Sequence, residues 1–296
     1  AGIDLSQELP IVTGYAQCSE GLMREYDRGY SEVVFAHLAA QTGAAEAIIH
    51  KEFHLSSADP KIVGVDAVRK IGRTSYDVAD QLSNLGMEAI HPNAARVLRR
   101  ADVPLRVKHA FEPDDPGTLI GPDGGEANRV EMVTGLPVHA FEVHEPDMVG
   151  VKGYDAAILS ALTRHNLWIV SKQSNANTIT HYIDGSLKAL RRAEQEVQKT
   201  YPAAEISTRA LAMVAVIGSD LSEVLVLSRG LQALEAAGLR PLAAQQGLRR
   251  IEVQFLLPRD QMDDAVKALH DALVTDAKGQ RSSSRKAKGG AQLRAA

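Results

Sequence analysis

The sequence has 296 residues, of which 45% are hydrophobic and 24% are charged, and its formal net charge at pH 7 is −4. This length allows two or three domains with buried cores, and the charge argues against non-specific nucleic-acid binding by the body of the protein. The single cysteine, Cys18, excludes an intrachain disulfide, and no apolar run is long enough to span a bilayer. The first ten residues lack the basic start and apolar stretch of a signal peptide, so we expect a cytoplasmic protein.

Residues 11–120 alternate between strand-like and helix-like runs, which predicts an α/β unit. Strands are expected at residues 8–16, in a short buried run at 45–50, at 103–111 and at the end of 112–120. Helices are expected at 31–43, which ends on a glycine, at 75–86, and at 91–102, which has a proline near its start.

The second part of the chain carries an internal repeat. The Gly-rich polar stretch GPDGGEANR, 121–129, predicts a domain boundary. Beyond it the order strand–helix–strand–strand–helix occurs twice at a spacing of about 70 residues, which predicts two ferredoxin-like units. The basic, Ser/Gly-rich tail 276–296 is expected to be disordered, and a solvated terminus is favoured over a nucleic-acid-binding role.

The run DRGYSE, 27–32, marks the point where a loop enters the first predicted helix. Helix N-termini suit anionic ligands, and the guanidinium of Arg28 is able to hold a carboxylate in two-point contact. Ser31 is a candidate N-cap or hydroxyl donor, and the carboxylate of Glu32 is suited to orienting an ammonium group. Taken by itself, this run favours the alternative of a capped helix with solvated charges.

A second run, IIHKEFHLSSADPK at 48–61, predicts a strand followed by a loop at the carboxyl edge of a sheet, where open α/β sheets bind ligands. Lys51 and Lys61 are candidates for contacts with nucleotide phosphates, with Asp59 fixing the loop. A solvated polar turn is the alternative that the local sequence favours. No P-loop, dinucleotide-binding glycine motif or His/Cys cluster with metal-ligand spacing occurs, so no metal site is predicted.

Several runs of the sequence, taken in their order along the chain, resemble the aspartate kinases, and among them the branch associated with ectoine biosynthesis. The runs that carry the resemblance are IVTGY, DRGYSE, SSADPKIV, SYDVADQLSNLGMEAIHPNAARVLRRADVPLRVKHAF and DDPGTLI. The resemblance implies that residues 1–121 are the C-terminal portion of a three-layer α/β/α amino-acid-kinase domain and that 122–129 are a linker. It further implies two ferredoxin-like (α+β) ACT domains, at 130–206 and 207–275, before the tail.

The resemblance assigns substrate roles to the first run. Arg28-Gly29-Tyr30-Ser31-Glu32 keeps the spacing of the family's Arg-Gly-Gly-Ser-Asp. It therefore implies that Arg28 holds the α-carboxylate of aspartate, while Ser31 and Glu32 orient the substrate.

For the nucleotide, the resemblance implies that Asp59 and Lys61 lie by the ATP phosphates. The family's Thr-Asp-Val-x-Gly-Ile-Tyr is replaced here by the run from His50 to Ser56, which lacks the usual Asp and Tyr. Glu88 replaces a lysine that contacts the nucleotide in the family, and Lys51 is the candidate for supplying the missing positive charge.

One family element is absent from the sequence, namely the Lys-x-Gly-Gly-Thr/Ser run that stabilises the transferred phosphoryl group. The chain also begins with alanine rather than methionine. We therefore expect a chain that is truncated and inactive alone. The alternative is a non-catalytic regulatory chain that binds an amino acid and assembles with kinase subunits.

The resemblance also implies an effector site for a feedback amino acid between paired ACT domains. The candidate residues lie at the first strand-to-helix turn of the repeat and on the next strand: Met148, Val151, Gly153, Tyr154, Asp155, Ser174, Asn175 and Asn177. Backbone N–H groups at the helix start suit an α-carboxylate, and Asp155 suits an ammonium. A structural ACT pair that dimerises and binds nothing is an equally weighted alternative.

Together these expectations describe an enzyme that uses ATP, with Mg²⁺ bridging its phosphates, to phosphorylate the side-chain carboxylate of L-aspartate. This is the entry step to lysine, threonine, methionine and, in the ectoine-associated branch, ectoine. A homo-oligomer formed through ACT domains is expected. We expect neither a nucleic acid nor a membrane as a partner.

Overall fold

The computed structural model describes residues 7–12, 29–87, 89–122 and 124–275. The chain divides into two compact units, unit 1 with residues 1–56 and 70–127, and unit 2 with residues 57–69 and 128–296. Within the described ranges, no helix is both long and apolar enough to cross a membrane.

Unit 1 contains a four-stranded mixed sheet and three helices within its described part. The strands are β1 (Ala47–Lys51), β2 (Arg73–Ser75), β3 (Leu105–His109) and β4 (Thr118–Gly121). The helices are α1 (Tyr30–Thr42), α2 (Tyr76–Asn84) and α3 (Pro92–Arg100). The strand order is β1-β3-β4-β2, with β1 parallel to β3, β3 antiparallel to β4, and β2 parallel to β4.

Local sequence signals fix the ends of the unit 1 helices. The Ser75 hydroxyl accepts a hydrogen bond from the Val78 N–H at 3.1 Å and begins α2. Pro92 is the first residue of α3, and Gly43 ends α1 in the left-handed region at φ 62°. These boundaries confirm the three predicted helices.

Two predictions for strands in unit 1 are corrected. The strand near residues 45–50 exists as β1, but it is not fully buried, since Ile48 is 44% exposed. The reason is that, among the strands of the described ranges, β1 pairs with β3 alone and lies at the edge of the sheet. Of the strand expected at 8–16, residues 8–12 form no regular structure, and the remaining residues lie outside the described part.

Unit 2 contains a six-stranded antiparallel sheet of order β6-β7-β5-β8-β10-β9. Its strands are β5 (Met132–His144), β6 (Trp168–Ser174), β7 (Thr178–Asp184), β8 (Glu205–Ile217), β9 (Ala243–Gln246) and β10 (Glu252–Pro258). Its helices are α4 (Tyr154–Arg164), α5 (Leu187–Thr200), α6 (Val226–Ala236) and α7 (Met262–His270). Short 3₁₀ turns are Pro146–Met148 and Arg259–Gln261, and a π turn, Asp271–Thr275, follows α7.

The predicted repeat is present, since strand–helix–strand–strand–helix occurs twice in unit 2. Two hydrophobic cores lie along the same sheet, one around Phe141 and Ile158 and the other around Phe255 and Leu269. The two longest strands, β5 and β8, pair along their whole length from Met132↔Ile217 to His144↔Glu205.

The domain boundary predicted between residues 206 and 207 is corrected, because these residues lie inside β8 and the chain does not separate into two domains there. β7 pairs with residues 139–144 of β5, and β10 pairs with residues 211–217 of β8. Because β5 and β8 also pair with each other along their whole length, the two halves of the repeat share one continuous sheet. The run LSEVLVLSRGLQALEAAG, 221–238, predicts a helix from residue 221, whereas the helix of the structure begins at Val226. The Asp220 carboxylate accepts the Ser222 N–H at 2.9 Å, and this local turn competes with helix.

The segment 57–69 belongs to unit 2, which corrects the prediction that residues 1–121 form one continuous domain. Ala58 is fully buried in the core around Phe255, and Ile62 and Val63 pack against that core. Asp59 caps a helical turn, Pro60–Val63, by accepting the Lys61 N–H at 2.8 Å. The turn thus holds two apolar side chains on unit 2.

Candidate functional site

The first turn of α1 meets the carboxyl end of β1 through Glu32 and Lys51. The Lys51 ammonium donates to Glu32 Oε1 at 2.8 Å, and the side chains are 21% and 24% exposed. The other oxygen, Glu32 Oε2, accepts the backbone N–H of His91 at 2.5 Å. Three elements, α1, β1 and the start of α3, therefore converge on one carboxylate.

Gly29 permits the close approach of α1 and α3. It is buried at the N-cap of α1, and a Cβ atom added there would lie 2.1 Å from His91 Cδ2. The His91 ring is itself held, since its Nδ1 accepts the Asn93 N–H at 3.2 Å and begins α3. The absence of a side chain at residue 29 thus sets the position of His91 beside Glu32.

The arrangement changes the roles expected for Glu32 and Lys51. The sequence assigned Glu32 to the substrate and Lys51 to the nucleotide, whereas the structure joins them in one ion pair. Because both oxygens of Glu32 have donors, a ligand ammonium would have to share this carboxylate with Lys51 and the His91 N–H. An ammonium has three donors, so Lys51 is able to contact an anionic ligand while it remains bonded to Glu32.

The other predicted substrate residues are placed as follows. Arg28 lies outside the described residues. Ser31 is exposed and is the second residue of α1, so the prediction that it is the N-cap is wrong. The cap is Gly29, which supplies no side-chain acceptor to the first turn.

The predicted nucleotide residues do not all lie in one unit. His50 is exposed on β1, opposite Lys108 of β3, and Ser56 forms an isolated bridge with Lys70 in unit 1. Asp59 and Lys61 lie in unit 2, where the Asp59 carboxylate caps the turn that contains the exposed Lys61. Glu88 lies outside the described residues.

A second group of charged side chains lies at the carboxyl ends of β1 and β3. His54 Nε2 lies 3.0 Å from Glu112 Oε2, and the His54 and His109 ring centroids are 4.7 Å apart. Lys70 donates to Asp115 at 2.8 Å and to Glu112 at 3.0 Å. These bonds raise the pKa of Lys70 and lower the pKa values of Glu112 and Asp115. Sequence spacing gave no sign of this group, because its members come from separate loops and strands.

In unit 2, Asp155 is already paired within the chain. Gly153 is the N-cap of α4, with φ 104°, and Asp155 in the first turn of the helix bonds to Lys172 of β6. His181 Nε2 lies 3.5 Å from Asp155 Oδ1, and burial lowers the pKa of this fully buried histidine. An effector ammonium at Asp155 would therefore compete with Lys172. Tyr154, also predicted for this site, stacks on Tyr201 with ring centroids 4.3 Å apart.

The remaining predicted effector residues have varied surroundings. Asn175 Oδ1 accepts the N–H groups of Asn177 and Thr178, at 3.1 and 3.0 Å, and so forms the β6–β7 turn. Met148 is buried in the core around Phe141, whereas Val151 is 57% exposed.

Ser174 and Asn175 line an open cleft of about 360 Å³ on one face of the unit 2 sheet. The cleft is lined mainly by polar side chains, among them Glu142, Thr180, Tyr182 and Arg209. Thr180 and Tyr182 alternate along β7 with Ile179 and Ile183, which lie in the core that α4 covers. The cleft therefore lies on the sheet face opposite α4. Ser174 is on the face of Asp155, since it lies opposite Ile179 in the β6–β7 register and two residues after Lys172, which contacts Asp155.

Comparison with known proteins gives the following likenesses. A model of the amino acid kinase family matches residues 4–109. Aspartate kinase Ask_Ect of Stutzerimonas stutzeri is 52% identical over 276 residues, which cover 93% of this chain and 58% of that protein. Aspartokinase 3 of Arabidopsis thaliana is 24% identical over 285 residues, which cover 91% of this chain and 50% of that protein. The chain thus spans about half the length of the curated relatives it matches.

Solved structures share the fold. An aspartate kinase of Clostridium acetobutylicum has a TM-score of 0.74 and 21% identity, over 82% of this chain and 57% of that chain. Aspartokinase III of E. coli, in complex with lysine and aspartate, has a TM-score of 0.70 and 23% identity, over 83% and 56%. These likenesses confirm the fold class expected from the sequence.

Proposed function

We propose, because the chain is a relative of the aspartate kinases, that it takes part in the ATP-dependent phosphorylation of the L-aspartate side chain to 4-phospho-L-aspartate. The observation that carries this proposal is the 52% identity to one such kinase, which extends over 93% of the chain. In the aspartate pathway, the reaction precedes lysine, threonine, methionine and ectoine.

The convergence of α1, β1 and α3 supports a substrate site at the carboxyl end of β1. We assign Lys51 to an anionic oxygen of ATP or aspartate, since Glu32 takes only one of its three donors. Arg28, next to the N-cap of α1, is assigned to the α-carboxylate of aspartate by two-point contact. Mg²⁺ bound with ATP would neutralise the charge that develops on the transferred phosphoryl group.

Turnover is proposed to need an element that these 296 residues do not contain, the Lys-x-Gly-Gly-Thr/Ser run of the family. The chain supplies substrate contacts, whereas that element stabilises the transferred phosphoryl group. We therefore expect no aspartate-dependent release of ADP from the chain alone, and turnover from a protein that contains both parts.

The test uses the Glu32→Gln variant of a protein that contains both parts. The change removes the charge that holds Lys51, so we expect kcat/KM for aspartate or ATP to fall at least about tenfold. Arg28→Ala should raise the KM for aspartate by about tenfold or more. The measurement is steady-state ADP release at varied aspartate and ATP.

Glu46→Gln is the matched control. Glu46 pairs with Arg106 at 2.6 Å with a similar exposure of 28%, but it lies before β1, at the opposite end of the strand. Its kcat/KM should stay within about twofold of wild type. An unchanged kcat/KM in Glu32→Gln would remove the Glu32–Lys51 pair from the site.

A second candidate function is a non-catalytic regulatory chain. The absence of the Lys-x-Gly-Gly-Thr/Ser run and the repeat in unit 2 favour it. In this case the chain should bind neither aspartate nor ADP in calorimetry. It should nevertheless change the feedback inhibition of a complete aspartate kinase when the two are mixed.

For regulation, we propose an amino-acid effector at the start of α4, within a homo-oligomer formed through unit 2. The N–H groups after Gly153 suit the effector carboxylate. Because Lys172 already neutralises Asp155, the effector ammonium should bind more tightly in a Lys172→Ala variant.

A further inference from the structure

The loops that follow β1 and β3 bring together side chains to which the proposed kinase reaction assigns no role. Two imidazoles, His54 and His109, and the Glu112 carboxylate have ligand atoms that all lie within 4.8 Å of one another. We propose that these three side chains form a binding site for a zinc ion. The inference does not depend on the kinase activity.

The distances are those of ligands around one ion. In a tetrahedral site with metal–ligand bonds of about 2.0–2.1 Å, ligand atoms lie about 3.3 Å apart. His54 Nε2 and Glu112 Oε2 are already 3.0 Å apart. The ligand atom of His109 lies within 4.8 Å of those of His54 and Glu112, so a side-chain adjustment of about 1.5 Å brings it into the same shell.

The donor set selects the class of metal. Two imidazole nitrogens with one carboxylate oxygen match Zn²⁺, which accepts nitrogen and oxygen ligands at short distances. Mg²⁺ and Ca²⁺ prefer shells of oxygen alone. Three protein ligands leave a fourth position for water.

Asp115 is placed to orient His54. His54 Nδ1 lies 3.8 Å from Asp115 Oδ1, on the side of the ring opposite Glu112. The Gly117 N–H donates to the same oxygen at 2.8 Å and holds the carboxylate. Metal-binding histidines commonly present their second nitrogen to a carboxylate in this way, although 3.8 Å must shorten for a hydrogen bond.

Lys70 is an internal competitor for the site. Its ammonium bonds to both Glu112 and Asp115, at 3.0 and 2.8 Å, and so supplies the positive charge that an ion would bring. The side chain is 51% exposed, which allows it to swing into solvent when an ion binds. Removal of its charge should therefore tighten binding of the metal.

Metal binding should break one hydrogen bond of His109, and this change can be observed by NMR. In the metal-free chain its Nδ1 accepts the Phe111 N–H at 3.1 Å. A neutral imidazole has one nitrogen lone pair, so coordination by either nitrogen requires this contact to open. Binding of Zn²⁺ should therefore change the amide resonance of Phe111.

The experiment measures Zn²⁺ binding to the chelator-treated full chain by calorimetry, in a Cys18→Ser background that removes the single thiol. His54→Gln and His109→Gln should each weaken binding at least about tenfold, and Lys70→Met should tighten it several-fold. The matched control, His37→Gln on the exposed face of α1, should leave affinity within about twofold. Co²⁺ in place of Zn²⁺ should give the intense visible bands of a tetrahedral site.

Two results would overturn the proposal. One is unchanged affinity in both histidine variants, and the other is a weak Co²⁺ spectrum typical of six oxygen ligands. If circular dichroism shows that a histidine variant is unfolded, Glu112→Gln decides instead, because Glu112 is 50% exposed and its replacement leaves the fold intact. Full affinity in that variant, together with no tightening in Lys70→Met, rejects the site.

Discussion

Gly29 shows how one residue without a side chain positions the groups around Lys51. The His91 ring lies where a Cβ of residue 29 would be, and the His91 backbone N–H holds Glu32. The φ angle of Gly29 is −86°, which any residue can adopt. Glycine is therefore required at this position by the lack of space and not by the backbone conformation.

Gly29→Ala should therefore destabilise unit 1 by about 1–3 kcal/mol, because the ring must move and lose its capping bond to the Asn93 N–H. The measurement is urea unfolding followed by circular dichroism. Gly72→Ala is the matched control, since an added Cβ there has no atom within 4 Å, and it should change stability by less than about 0.5 kcal/mol. Equal stability of the two variants would show that His91 is free to move.

At the scale of elements, the segment 57–69 is attached to unit 2 by a buried polar contact as well as by its apolar residues. Ser57 Oγ lies 2.8 Å from His270 Nε2 at the end of α7, and it accepts the Arg69 N–H at 2.9 Å. The Arg69 guanidinium donates to the Val130 carbonyl at 2.9 Å. All four of these residues belong to unit 2, whereas the residues that flank the segment, 56 and 70, belong to unit 1.

The contact predicts a dependence of stability on pH. Burial, together with the nearby Arg69, keeps the pKa of His270 below its ordinary value. Below about pH 6.5 the unfolded chain then binds more protons than the folded one, so the free energy of unfolding falls as the pH decreases from that point. As the pH rises past that value, the contribution of this histidine to the slope fades, because the unfolded chain also loses its proton.

His270→Gln should reduce this slope, because glutamine does not titrate and its side-chain amide can still form a hydrogen bond with Ser57. The measurement is urea unfolding between pH 5.5 and 8, followed by fluorescence of Trp168, the single tryptophan, which lies in unit 2. Exposed His37→Gln is the control and should keep the wild-type slope. A slope that is unchanged in His270→Gln would assign the dependence to another group, such as buried His181.

At the scale of the molecule, unit 2 is one sheet rather than two separable domains. The central strands β5 and β8 pair with each other along their whole length. The other edge of β5 pairs with β7 of the first half, and the other edge of β8 pairs with β10 of the second half. Removing either strand would expose the other as a long apolar edge, which promotes association.

A fragment of residues 128–206 should therefore aggregate or stay unfolded, because it lacks nearly all of β8. A fragment of residues 128–275 should fold cooperatively, with lower stability than unit 2 in the whole chain because Ala58 is absent from its core. Size-exclusion chromatography and urea unfolding by circular dichroism distinguish them. A monomeric, cooperatively folded 128–206 would restore the boundary at 206/207.

The amino-acid sequence by itself determined the order and type of most elements, the internal repeat and the resemblance to the aspartate kinases. These depend on local periodicity, on caps such as Ser75 and Pro92, and on the order of motifs, all of which can be read along the chain. Apolar spacing predicts a helix from residue 221, yet the helix begins at Val226, because spacing does not reveal the local hydrogen bond of the Asp220–Ser222 turn.

Only the tertiary structure decided which charges meet and where the segment 57–69 packs. Glu32 meets Lys51 and His54 meets Glu112 across separations of 19 and 58 residues, and chain spacing carries no information about such contacts. Ala58 and its neighbours read as a polar turn, yet their apolar side chains are buried on unit 2. The physical reason is that burial and ion pairing depend on distances through space, which are set when the elements pack together.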